Sequence, residues 1–77
     1  MKVYYTFGTN PQFPYQRGWV EIVAGDIDEA HEKFRARFPN TSPDTLNCSF
    51  FYPEDRFVET QMHIDGNFGV FCHEVIE

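Results

Sequence analysis

Gly25-Asp26-Ile27-Asp28-Glu29-Ala30-His31-Glu32-Lys33-Phe34-Arg35-Ala36-Arg37-Phe38-Pro39 is the stretch on which the fold turns. Within it Ile27, Ala30, His31, Phe34 and Phe38 recur at helical spacing and line one face. Asp26 is placed to cap the first free amides, and Glu29, three positions on, to reach back as in a capping box. Asp28, Glu29 and Glu32 come early and Lys33, Arg35 and Arg37 late, the order that the helix dipole favours. Pro39 cannot continue a helix and stops this one. A helix with one apolar stripe needs a surface to cover, and the flanking residues must supply it.

On the N-terminal side, residues 2 to 7 alternate, with Val3, Tyr5 and Phe7 on one face and Tyr4 and Thr6 on the other. Gly18 to Ala24 alternates again, Val20, Ile22 and Ala24 against Trp19, Glu21 and Val23, and its β-branched content suits a strand. Gly8 to Arg17, with Thr9, Asn10, Pro11 and Pro14, reads as the loop between them, and the two strands are expected to pair antiparallel. On the C-terminal side Asn40 to Asn47 is a polar connector, after which Cys48 to Tyr52 is an apolar run of strand length. Pro53, Glu54 and Asp55 suit the first turn of a second, shorter helix, with Phe57, Val58 and Met62 as its buried contacts. Asp65, Gly66 and Asn67 spell a turn. Phe68 to Ile76 reads as a closing strand, Val70, Cys72 and Ile76 opposing Phe71, His73 and Val75. The order is ββαβαβ, an α+β fold in a single domain over residues 1 to 77. Its expected form is a four-stranded, mostly antiparallel sheet with two helices on one face.

A chain of 77 residues buries only roughly 60–65% of the surface its unfolded form exposes, so nearly all of its apolar residues are needed for the core. With 18% aromatic residues it has the large side chains to build one. Nothing approaches a membrane span, and Met1-Lys2-Val3-Tyr4-Tyr5 has no signal-peptide layout, so a cytoplasmic protein is expected. Two cysteines, Cys48 and Cys72, are too few for a disulfide scaffold and are expected as buried thiols.

The net charge of −6 argues against direct binding to nucleic acid or to an anionic membrane. It is unevenly placed. Residues 1 to 37 balance five bases (Lys2, Arg17, Lys33, Arg35, Arg37) with five acids (Glu21, Asp26, Asp28, Glu29, Glu32). Residues 38 to 77 set seven acids (Asp44, Glu54, Asp55, Glu59, Asp65, Glu74, Glu77) against Arg56 alone. Glu54, Asp55, Glu59 and Asp65 are expected to form an acidic patch edged by Tyr52 and Phe57, fit for a basic groove that otherwise holds nucleic acid. The plainer reading is a solvated face that keeps a small domain soluble.

Catalytic and metal chemistry have weak support. Cys72 and His73 are neighbours, but adjacent residues on a strand point to opposite faces, so without a bulge they could not both ligate one ion. Cys48, His31 and His63 are further soft ligands without C-x-x-C or H-x-x-x-H spacing. Neither a phosphate loop nor a nucleophile elbow occurs, so no enzyme, cofactor or metal is expected. His31, on the apolar face of the helix, reads as a boundary residue with a partner. Trp19 shares a sheet face with Glu21. With Tyr4 it makes an aromatic strip that is a dimer interface or a contact surface, or is covered by the Pro11 to Tyr15 loop.

Tyr4-Tyr5-Thr6-Phe7-Gly8, Arg17-Gly18-Trp19-Val20-Glu21-Ile22 leading to Glu29-Ala30 and Phe34-Arg35, and Gly66-Asn67 with Cys72-His73-Glu74-Val75-Ile76 form a distinctive series. Through them nearly the whole chain resembles a group of small proteins from phages, prophages and mobile elements of Gram-positive bacteria. The group brings no assigned activity or site residues. The resemblance implies a context in which such genes often encode inhibitors of host defence, anti-CRISPR proteins among them. Several of these are small and acidic, and some occupy the nucleic-acid channel of their target. The expected function is therefore a phage-type inhibitor that mimics DNA. It would bind a host defence nuclease through Glu54, Asp55, Glu59 and Asp65, with Tyr52, Phe57 and Trp19 as aromatic contacts. A different expectation is a homodimer that sequesters a small nucleotide-like ligand among aromatics, Arg17 and Arg35; a third is a structural interaction module.

Overall fold

Val3, Tyr5 and Phe7 are buried along one side of the first strand, β1 (Lys2–Thr6), as the period-two pattern requires. The computed structural model describes residues 1–8, 18–39, 46–65 and 75–77. β1 pairs antiparallel with β2 (Trp19–Val23), setting Val3 opposite Ile22 and Tyr5 opposite Val20. Gly18, at φ 76°, lets the chain enter β2, and its carbonyl accepts from the Phe7 amide at 2.9 Å. At the other end Met1 and Ala24 exchange hydrogen bonds of 2.6 and 2.9 Å.

The first helix, α1 (Ile27–Arg37), begins as its residues direct. Asp26 accepts the Glu29 amide at 2.8 Å. The Glu29 carboxylate pairs not with the cap but with Lys33, one turn on, at 3.2 Å. Ala30, Phe34 and Phe38 are buried, with Ile27 and His31 half-buried at the edge of the stripe. Phe34 stacks on Tyr5 with centroids 4.3 Å apart, and Phe38 lies 5.3 Å from Phe7, so α1 covers the Val3-Tyr5-Phe7 side of the sheet. Each such fully buried aromatic is worth about 1.5–3 kcal/mol of transfer free energy.

β3 (Phe50–Pro53) adds antiparallel to the outer side of β1, and the two-residue β4 (Val75–Ile76) adds parallel to β2, giving the order β3-β1-β2-β4. The fold is thus α+β, ββαβαβ, with a four-stranded mixed and mostly antiparallel sheet. The expected strand at Phe68 to Ile76 is described only at its last two pairing residues; the turn at Gly66-Asn67 and the Pro11 to Tyr15 loop lie outside the described residues.

The second helix departs from expectation. Pro53 does not enter it; it ends β3 and stands as the cap residue of α2 (Glu54–Glu59). Thr60 and Gln61, the latter at φ 63°, break the helix, and a single turn, α3 (Met62–Asp65), follows. Phe57 is buried as expected, but Val58 is 48% exposed and Met62 is only half-buried. Nor does α2 join α1 on one face. Phe57 stacks on Tyr4 at 4.1 Å, 5° from parallel, and meets Trp19 edge-on at 5.1 Å. Tyr4 and Trp19 alternate with the core residues and point the other way, so α1 and α2 cover opposite sides of the sheet. The reason is that Tyr4 and Trp19 are too apolar to leave bare, and the short run from β3 into Glu54 delivers Phe57 directly onto them.

Candidate interaction surface

The α2 side of the sheet brings Glu21, Glu54, Asp55 and Glu59 together with Lys2 and Arg56. In the β1–β2 register Tyr4 lies opposite Glu21, and its hydroxyl donates to that carboxylate at 2.8 Å. Glu54 reaches the same hydroxyl at 3.5 Å. Burial first, then the Glu21 hydrogen bond and the nearby charges of Glu21 and Glu54, push the Tyr4 hydroxyl above the usual phenol range. It therefore stays a neutral donor between two carboxylates.

On α2 itself Asp55 and Glu59 are one turn apart and face away from Phe57, out to solvent. Glu54, Asp55 and Glu59 are all exposed. Two cations stand beside them: Lys2 lies 3.9 Å from Glu54, and Arg56 lies 3.4 Å from Glu59. Exposed pairs of this kind are worth about 0–1 kcal/mol, so they moderate the patch without closing it to a partner. Of the acids expected together, the structure brings Glu54, Asp55 and Glu59 onto one short helix. Asp65 ends α3, and its side chain lies outside the described residues.

The aromatic residues divide. Tyr52, on β3, is half-buried beside the patch and lies 4.8 Å from the exposed ring of Phe50. Phe57 is 2% exposed and is spent on Tyr4 and Trp19, which corrects its expected place as a contact residue. Trp19 is half-buried under it rather than standing open. Phe50 to Pro53, with Arg56, Glu59 and Thr60, line an open groove of about 320 Å³ along the β3–α2 junction. Residue order alone did not single out Glu21, Lys2 and Phe50. The antiparallel register that sets Tyr4 opposite Glu21 was the available signal for the first of them.

The opposite side holds the groups that resemble catalytic ones. Tyr5 hydroxyl and His31 Nδ1 share a hydrogen bond of 2.8 Å, and the Phe51 ring meets the imidazole edge-on at 4.6 Å. Burial, then the Arg35 charge, lowers the His31 pKa below its usual value. Burial pushes the Cys48 thiol up to about 11, which leaves it protonated and a poor nucleophile at neutral pH. Arg35 Nε is buried with no hydrogen-bond partner among the described residues. Arg17, Cys72 and His73, and the side chain of His63, lie outside them. Among the described residues no three His, Cys, Asp or Glu side chains are grouped to hold a metal ion, and no helix is long and apolar enough to cross a membrane. No protein-family profile, curated protein or solved structure matches the chain.

Proposed function

We propose that this domain is an inhibitor that binds another protein through its α2 side, entering a basic groove in the manner of a nucleic-acid backbone. The target class is a host defence nuclease, as the likeness to phage proteins implies. The observation that supports this most is the convergence of Glu21, Glu54, Asp55 and Glu59 from two elements onto one side of the sheet, against Lys2 and Arg56 alone among the described residues. Asp55 and Glu59 supply the exposed carboxylates, Glu54 extends the row towards β1, and Tyr52 supplies an aromatic rim. Carboxylates on this side steer a cationic partner, raising the on-rate more than the intrinsic affinity.

Titration against candidate defence nucleases at low and high salt tests the reading. Affinity falls as salt rises if charge does the steering; equal affinity at both removes the mechanism. The Nε of Arg35, without a partner among the described residues, favours the second reading, a sequestered anionic ligand. A nucleotide carried through native mass spectrometry would move the function to that side of the sheet.

A further inference from the structure

Among the described residues β3 is an edge strand with no strand paired to its outer side. The alternation of hydrogen bonds decides which of its groups face outwards. Met1 exchanges bonds with Ala24 and Phe7 donates to Gly18, the residues that flank β2, so the odd residues of β1 serve β2 and the even ones serve β3. Thr6 accordingly turns its carbonyl to the β3 side, where it accepts from Ser49 just before the strand at 2.8 Å, and its hydroxyl donates to the Phe50 carbonyl at 3.2 Å. Tyr52, opposite Tyr4, and Phe50, opposite Thr6, therefore turn their backbone groups inwards. Phe51, between them, turns both its N–H and its C=O to the outside. Pro53 has no N–H to offer, so Phe51 carries the available donor of the strand.

Monomeric proteins protect such an edge with charged residues, proline or a short strand, and β3 is short and ends in Pro53 but carries no charge. Asn47 to Pro53 contains no charged residue, and it holds three aromatic residues in a row, with Phe50 57% exposed. Beside the strand Arg56 lies 3.4 Å from Glu59 and offsets part of its charge. In a chain of net charge −6 this uncharged strand is a place where a second copy can approach with less repulsion than elsewhere.

We infer that β3 is the seam of a two-fold dimer, in which Phe51 of each copy exchanges its two outward hydrogen bonds with Phe51 of the other. The pairing is self-complementary. Opposite residues then share a face, so Phe50 of each copy meets Tyr52 of the other on the α2 side, two aromatic cross-strand pairs for one strand. The axis stands perpendicular to the sheet, and both α2 helices lie on the same side of the doubled sheet. The dimer thus presents two sets of Glu54, Asp55 and Glu59 on one surface. This inference stands on β3 and is independent of what the α2 side binds.

Sedimentation of the full chain over a range of concentrations, with amide exchange at Phe51, tests it. The expected result is a two-chain species that strengthens with salt, because like-charged copies repel less when screened. The Phe51 amide slows only as that species forms. Phe50→Lys, at an exposed position, returns the mass to one chain, and Phe50→Tyr keeps the dimer. A single chain at every concentration, or a dimer undiminished by Phe50→Lys, overturns the inference. So does a Phe51 amide that slows only when a defence nuclease is added, since a strand of the partner then occupies the edge. Should Phe50→Lys fail to fold, the concentration dependence of the Phe51 amide decides alone. Glu54→Gln with Asp55→Asn weakens nuclease binding and leaves the dimer, so the two readings fail separately.

Discussion

His31 lies where the apolar stripe of α1 meets a polar partner. Tyr5 holds one ring nitrogen, Phe51 packs against the ring, and Arg35 and Asp28 of its own helix supply the nearby charges. Burial and Arg35 outweigh Asp28, so the folded state binds its proton less readily than the unfolded chain does. Stability from this site is complete above the unfolded value of about 6.5 and is lost as pH falls below it. Urea midpoints measured from pH 7.5 to 5 therefore decline in the wild type, and His31→Gln reduces the slope over that range. A slope equal in both proteins would show that other groups carry the decline. Asp26→Ala removes the bond to the Glu29 amide and costs about 1 kcal/mol, read as a lower thermal midpoint. Both features were legible along the chain, because helix spacing and capping are local. The Tyr5 partner was not, because it depends on which side of the sheet α1 covers and at what height.

α2 is too short to be stable alone, and its position rests on Phe57. Phe57→Ala empties the space between Tyr4 and Trp19 and costs about 3–5 kcal/mol, a large share of what a small domain holds. Trp19 is the chain's one tryptophan, so its emission shifts to the red in the folded variant, while α1 and its core persist. An unchanged spectrum would mean that Phe57 does not cover it. Gln61 bears the other local cost, a left-handed backbone at φ 63° just past α2. Gln61→Gly relieves it and raises stability by roughly 0.5–1 kcal/mol, the left-handed penalty less the entropy of glycine. Chemical denaturation reads the gain. The existence of a short helix after Pro53 was legible, since proline and two acids suit a helix start. Its side of the sheet was not: Phe57 is apolar enough for either core. The clue lay in β1 and β2, where Tyr4 and Trp19 make an outward strip that must be covered.

Across the whole molecule the acids are not equivalent, although all contribute equally to the net charge. Asp28 and Glu32 are exposed on α1, and Glu54, Asp55 and Glu59 are exposed on α2, on opposite sides of the sheet. The division of charge along the sequence foretold an acidic second half. It missed Glu21, which joins the α2 side through Tyr4, and it missed Lys2, which partly offsets Glu54. Both cross the sheet from the first half of the chain, where the charges sum to zero. If net charge alone drives association, reversing any two acids has the same effect. If the α2 side enters the groove, position decides. Asp55→Lys with Glu59→Lys then weakens binding to the defence nuclease by at least about tenfold, or 1.4 kcal/mol, and flattens its salt dependence. Asp28→Lys with Glu32→Lys changes the net charge equally and leaves affinity within about twofold, because it acts from across the sheet, where salt screens its field. Equal losses from both pairs would assign the binding to overall charge, and a loss only from the α1 pair would place the partner on the other side of the sheet.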